Sequence, residues 1–248
     1  MAQFLEVRQI YKNFGKLAAL SDISFSVNQG ELVGLIGPNG AGKTTLFNVI
    51  TGFYRASSGQ VFFKGEDVSQ AAPNHLAEMG LVRTFQIPRP FRELTVQDNV
   101  AVGTLFNPQR MHKTHMSATE FVDKILEGVK LLPHKNQLAG NLGYGNLKLL
   151  EVGRAQGPLP DLLLLDEPFA GLTSAEILSV SEILRGLAAK GLTLIIVEHK
   201  LKELMKVVKR VVVLHYGKKI ADGAPEEVSQ DEQVLKAYLG RRWSKTNA

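Results

Sequence analysis

The sequence predicts an α/β fold: a sheet core preceded by an N-terminal antiparallel β module and interrupted by an inserted α-helical subdomain. Three observations predict it. The segment Gly37-Pro38-Asn39-Gly40-Ala41-Gly42-Lys43-Thr44-Thr45 fits G-x-x-x-x-G-K-[ST] between an apolar run over 31–36, read as a buried strand, and 46–50, read as the first turns of a helix. Two further apolar runs, 161–165 and 192–197, each end on adjacent polar or charged residues. Between the first strands and these runs, 95–138 is helix-forming sequence with its own cap signals.

The loop at 37–45 is a phosphate cradle and makes the sheet that of a P-loop NTPase. Its glycines let backbone N–H groups turn inward around phosphate oxygens, and the helix start adds partial positive charge. Lys43 reaches the β- and γ-phosphates of a nucleotide and Thr44 can ligate Mg²⁺. Thr45 is read either as one more phosphate contact or as packing. The whole chain, at 248 residues, is long enough to bury a substantial core. Its net charge is 29 − 24 = +5, part of it in the tail Arg241-Arg242-Trp243-Ser244-Lys245, a solvated terminus or a contact for nucleic acid or anionic lipid. The chain has no cysteine, which excludes disulfide and thiolate chemistry. No apolar run approaches the ~18 residues of a spanning helix, and Glu6 and Arg8 interrupt any N-terminal signal, so a membrane role is expected to run through a partner.

In chain order, 4–10 and 23–27 alternate apolar with polar and flank a turn at 13–16, giving the antiparallel β module. Phe14, at the tip of that turn, offers an aromatic face to a base or packs locally. A short strand is predicted over 60–64, a helix over 73–79, and a strand over 81–85 that ends on Gln86. Ligands of open α/β sheets bind beyond the carboxyl ends of the strands, so Gln86 is a candidate contact to metal or attacking water, the other reading being a loop glutamine.

Thr95 is read as the N-cap of one helix, and Ser117-Ala118-Thr119-Glu120 as a capping box opening a second that runs to Leu131. The stretch 103–115 between them reads as an exposed loop. His112, His115 and His134 lack metal-ligand spacing, which speaks against zinc. The helical subdomain is placed at about 95–156, within a core made of 1–94 and 157–240, with a basic tail at 241–248.

Asn141-Leu142-Gly143-Tyr144-Gly145-Asn146 is a second Gly-rich turn before a helix predicted over 147–156, open to a cap or an anion-site reading. The strand 161–165 then ends in Asp166-Glu167-Pro168. Carboxylates at the end of so apolar a strand need a cation, which Mg²⁺ at the phosphate loop supplies. Asp166 is assigned to the metal, directly or through water, and Glu167 to polarising the water that attacks the γ-phosphate. An amphipathic helix follows over 174–190, ended by Gly191, and the strand 192–197 delivers Glu198 and His199 to the same edge. A hairpin about Tyr216-Gly217 and a closing helix over 231–239 complete the chain.

Taken together and in this order, 37–45, Gln86, 142–146, 162–167, 170–173 and His199 resemble the nucleotide-binding domain of ATP-binding cassette (ABC) transporters, over nearly the whole chain. The resemblance implies an ABC ATPase fold and a role for each motif. Phe14 corresponds to the adenine-stacking aromatic, Gln86 to the Q-loop glutamine and Gly143-Tyr144-Gly145 to the signature turn. Asp166 and Glu167 correspond to the Walker B aspartate and catalytic glutamate, 170–173 to the D-loop and His199 to the switch histidine. Arg83-Thr84-Phe85-Gln86, Phe91-Arg92-Glu93-Leu94-Thr95-Val96, the tyrosine within the signature and Asp166-Glu167-Pro168-Phe169-Ala170-Gly171-Leu172 are similar to the ATPase subunits of bacterial branched-chain amino acid importers. Urea and amide importers and lipopolysaccharide-export ATPases share several of these segments.

This resemblance implies Mg²⁺-dependent ATP hydrolysis at the cytoplasmic face of the inner membrane, where the protein is peripheral. It implies a head-to-tail dimer, with itself or a sister cassette, in which each ATP lies between one subunit's phosphate loop and the other's signature turn. Transmembrane permease subunits dock near the Q-loop and the helical subdomain, and a periplasmic or extracellular solute-binding protein acts indirectly; no nucleic acid partner is implied. Three positions depart from the family: Gly143 stands for the signature serine, Asn146 for its glutamine and Thr173 for the D-loop aspartate or asparagine. The half-site lent to the partner is therefore expected to be the weakened one. Other classes fit less well: a GTPase would need an N-K-x-D motif, which is absent, and a small-molecule kinase has no role for the signature turn. Non-transport cassette ATPases usually carry two cassettes or a long coiled-coil insertion, and a non-hydrolysing nucleotide-binding scaffold is the remaining reading.

Overall fold

Apolar residues at alternate positions bury one face of the opening hairpin: Leu5, Val7 and Ile10 on its first strand, Ile23, Phe25 and Val27 on its second. The spacing from Val7 to Ile10 breaks the period of two because a register shift falls between them, with Gln9 at φ +46°. The computed structural model describes residues 4–106, 108–112 and 114–239; the tail at 241–248 lies outside them.

The elements in chain order are β1 Leu5–Phe14, β2 Leu17–Val27, β3 Leu32–Ile36, α1 Lys43–Ile50, β4 Ser58–Phe63, β5 Glu66–Asp67, α2 Pro73–Met79 and β6 Leu81–Arg83. There follow α3 Val96–Thr104, α4 Pro108–His112, α5 Ala118–Gly128, α6 Tyr144–Gln156, β7 Leu162–Asp166 and α7 Ser174–Ala189. The chain continues through β8 Thr193–Val197, α8 Leu201–Met205, β9 Arg210–His215, β10 Lys218–Gly223, α9 Pro225–Gln230 and α10 Glu232–Leu239. Two compact units result, one from the chain up to Pro73 together with that from Thr193 onward, the other from Asn74–Leu192.

In the first unit β1 pairs antiparallel with β2 and with β4, and β5 extends that sheet beyond β4. A second set of strands centres on β3, parallel to β8 on one side and to β9 on the other, with β10 antiparallel to β9. All five residues of β3 and of β8 are buried, as strands covered on both faces must be. Because β3, β8 and β9 run parallel, their carboxyl ends deliver Gly37, Glu198-His199 and Tyr216 to one edge. The hairpin tip is fastened there: Gly217 N–H donates to Ala41 O at 3.0 Å, and Ser21 N–H donates to Gly217 O at 2.7 Å.

In the second unit β6 runs parallel to β7, Leu81 opposite Leu162 and Arg83 opposite Leu164, and α3, α5 and α6 pack on one another. The glycines at 103 and 157 allow two helix ends to cross: a Cβ on Gly157 would lie 2.7 Å from Gly103 Cα.

Several boundaries differ from those read in the sequence, each for a local reason. The 103–115 stretch is not all loop. Helix α3 continues to Thr104 through the crossing glycine, and α4 is tied down by Arg110, which donates to Met79 O at 3.3 Å and bonds Leu159 O and the Asp161 carboxylate. Helix α5 stops at Gly128, short of Leu131, because Lys130 turns left-handed at φ +60° and Leu131 N–H closes back on Leu126 O at 2.7 Å. Strand β6 ends at Arg83, since Phe85 N–H donates to Glu151 Oε1 at 2.9 Å instead of to a strand. Helix α6 begins at Tyr144, three residues early, with Gly143 in the extended N-cap conformation. Both capping signals hold: Thr95 Oγ1 accepts from Asp98 N–H at 3.1 Å, and Ser117 and Glu120 form the reciprocal box.

Candidate functional site

The first unit folds its phosphate loop around a cavity of about 560 Å³, lined among others by Phe14, Asn39, Lys43, Thr44, His199 and Tyr216. Gly37 can be no other residue here, because a Cβ would collide with the Leu214 carbonyl. Gly40 and Gly42 take φ +77° and +102°, which turn the loop back on itself ahead of α1. Lys43 is only 6% exposed, and its Nζ donates to Gly37 O at 2.6 Å and Pro38 O at 3.1 Å. Its charge is thus held at the centre of the loop, while Thr44, at the start of α1, is exposed and Thr45 half-buried. Phe14 is 43% exposed and meets Tyr54 edge-on at 5.4 Å, with Lys12 Nζ 4.9 Å from its ring centre. That leaves an aromatic face at the cavity wall, suited to a base. His199 is exposed at the end of β8, and Glu198 beside it is buried with Oε2 accepting from His199 N–H at 3.0 Å.

The second unit gathers the other residues read from the sequence. Gln86 Nε2 donates to Glu167 Oε2 at 2.8 Å, joining residues 81 positions apart. Glu167 holds a left-handed backbone at φ +50°, a conformation a glutamate keeps only where its surroundings over-determine it. Asp166 pairs with Arg83 at 3.0 Å, and its N–H donates to Thr84 Oγ1 at 3.3 Å. Burial pushes the Asp166 carboxyl above its ordinary range, against the pull of Arg83, and the same burial pushes Arg83 down. Both shifts favour the neutral forms, so the pair marks an enclosed place for charge rather than a source of stability.

The Gly-rich turn forms the first turn of α6. Tyr144 lies against Gly171, where a Cβ would meet its ring at 2.7 Å, and Gly145 faces the Glu176 carboxylate. Thr173 is occupied as a helix cap: its N–H donates to Glu176 Oε2 at 2.8 Å and its hydroxyl donates to the same oxygen at 2.7 Å.

Among the described residues no group of three or more His, Cys, Asp or Glu side chains holds a metal by itself. The donors assigned to Mg²⁺, Thr44, Gln86 and Asp166, are all hard oxygens. Oxygen donors of this kind suit Mg²⁺, which is held by one or two carboxylates and completes its shell with phosphate and water.

Sequence reasoning named Arg83 only within a segment shared with relatives and Tyr216 only in a hairpin turn, and it gave no role to Lys148 or Glu151. Lys148, on the buried face of α6, carried a readable signal, a lysine where the helical period puts an apolar residue. Glu151 and Tyr216 gave none beyond a helix and a hairpin turn.

A family model described as "ABC transporter" matches residues 20–170, and one described as "Branched-chain amino acid ATP-binding cassette transporter" matches 218–243. The chain is 38% identical over 251 residues to the probable branched-chain amino acid transport ATP-binding protein LivG of Methanocaldococcus jannaschii, covering 96% of this chain and 98% of that one. To the high-affinity branched-chain amino acid transport ATP-binding protein BraF of Pseudomonas aeruginosa it is 36% identical over 249 residues, covering 95% and 97%. The crystal structure of the ADP conformation of an ATP-binding cassette of an ABC transporter matches with a TM-score of 0.86 at 36% identity, covering 97% of this chain and 100% of that one. With a phosphate-loop cavity of this form and similarity that runs from end to end, the chain belongs to the ABC transporter family, as an ATP-binding cassette.

Proposed function

We propose that this chain is the Mg²⁺-dependent ATPase subunit of a branched-chain amino acid importer, peripheral to the cytoplasmic face of the membrane. The observation that carries the reading is the loop cavity with Lys43 held buried at its centre and Phe14 and His199 on its walls. The amino acid substrate is supported by the names of the relatives, LivG and BraF, and by the match over 218–243.

In this reading Phe14 stacks on adenine, and residues 37–45 with Lys43 hold the β- and γ-phosphates. Thr44, Gln86 and Asp166 serve the metal, which supplies charge neutralisation on the phosphates when bound. Glu167 draws the proton from the attacking water, and Gln86 and His199 orient that water and the γ-phosphate. The turn 143–145 presents helix-start N–H groups to the nucleotide of a second cassette, a copy of this chain or a sister subunit. ATP closes that dimer and hydrolysis reopens it, and permease subunits turn the cycle into transport of a solute delivered by a binding protein.

Phosphate release by the purified protein is expected to require Mg²⁺, to stop on chelation, and to rise per subunit with protein concentration or on adding the sister cassette. Stoichiometric ATP binding without phosphate release from the assembled complex would instead favour a scaffold.

Gly143 bears on the rate. A Cβ there meets nothing within 4 Å, so a serine fits, and its hydroxyl adds one bond to a charged phosphate. Such a bond contributes about 1.5–3 kcal/mol, roughly 10- to 150-fold. Gly143→Ser is expected to raise ATPase activity at limiting ATP; a fall would show that the glycine is tuned for this assembly.

A further inference from the structure

Lys148 lies on α6, one helical turn after Tyr144, and is 2% exposed. Its Nζ donates to the main-chain carbonyl of Gln86 at 2.6 Å and to that of Glu167 at 3.2 Å. A buried ammonium stays charged only where hydrogen bonds and opposite charge replace its water. The two carbonyls provide the bonds, and Glu151 and Asp166 lie within its electrostatic reach. The same two residues meet a second time, through the 2.8 Å bond between their side chains. Gln86 and Glu167 are therefore joined twice, once directly and once through a cation on the signature helix. Charge-assisted bonds are the stronger kind, and the second of these holds the peptide of a residue in a left-handed conformation, where restraint is needed.

We propose that Lys148 is a positioning residue for hydrolysis: its ammonium fixes the main chains of Gln86 and Glu167 so that the amide and the carboxylate keep their mutual placement. The inference rests on the hydrolytic roles given above to Gln86 and Glu167. Because Lys148 rides on the helix whose first turn is 143–145, a displacement of that turn is passed to both residues at once.

The test compares Lys148→Met, Lys148→Gln and Lys148→Arg in the full chain, under the conditions in which the parent protein turns over. Misplacement of a reacting group by about 1 Å costs ~10²-fold in rate, and that is the expected fall in kcat for Lys148→Met. The Kd for a fluorescent ATP analogue should stay within about twofold, since the two bonds that define this role go to the main chains of Gln86 and Glu167. Lys148→Arg, which can donate to both carbonyls, should recover most of the rate, and Lys148→Gln should fall between. Unchanged kcat in Lys148→Met, with Glu167→Gln inactive, overturns the inference and leaves the ATPase reading standing. Parallel loss of nucleotide binding, melting temperature and rate, without rescue by arginine, overturns it too, as does failure of both neutral variants to fold, because the role is then structural. A parent protein that releases no phosphate overturns the ATPase reading itself.

Discussion

Glu167→Gln is expected to abolish steady-state phosphate release and leave ATP bound. The substitution keeps size and shape, and the new amide oxygen can still accept the Gln86 Nε2 hydrogen bond that Glu167 Oε2 accepts at 2.8 Å. What it removes is the ability to take a proton from water. Loss of a general base costs ~10²–10⁴-fold, while the residues of the phosphate loop are unchanged. Binding without hydrolysis should therefore trap the closed state, visible as an ATP-dependent shift to dimer, or to the heterodimer with a sister cassette, in size-exclusion chromatography. Unchanged steady-state hydrolysis would remove Glu167 from the reaction and leave the β7 carboxylates without an assigned base.

How far the site was legible in the sequence depended on how local each feature is. The phosphate loop is nine consecutive residues whose geometry is set by glycine and by the strand and helix that flank it. Its position between β3 and a helix could thus be read directly, although α1 starts at Lys43, three residues ahead of the 46–50 read from the sequence. The caps at Thr95 and Ser117 are equally local, each a side chain bonding an N–H three residues on. Partners distant in the sequence decided the rest. Past Arg83, Thr84 N–H still donates to Leu164 O, but Phe85 N–H goes to Glu151, 66 residues on, and the strand does not continue. Helix α4 exists where a loop was expected because Arg110 finds an acceptor 51 residues away in Asp161. Thr173 was read as a departure from a family pattern, and its capping box with Glu176 shows the local work the hydroxyl does instead. The Lys148 contacts, at 62 and 19 residues of separation, had no periodic signal except the misplaced charge itself.

Lys43→Met is expected to remove nucleotide binding from a protein that still folds. The side chain that replaces it is of similar length and apolar, and the helix it begins is anchored by Leu46, Phe47 and Ile50, all buried, so α1 should persist. What is lost is the cation now held by the carbonyls of Gly37 and Pro38. Those carbonyls point their negative ends into the loop, and without the ammonium they oppose the phosphates that the N–H groups attract. Two charge-assisted bonds from the ammonium to the β- and γ-phosphates, at about 1.5–3 kcal/mol each, correspond to at least ~10²-fold in the Kd for ATP, before this repulsion is added. Gly37→Ala supplies the contrast, because its Cβ would run into the Leu214 carbonyl and, at 2.9 Å, Ala41 Cβ. That variant should lose melting temperature together with binding, whereas Lys43→Met should lose binding alone, read by titration calorimetry with ATP beside thermal melts. Retention of parental ATP affinity in Lys43→Met would show that the nucleotide does not use this loop.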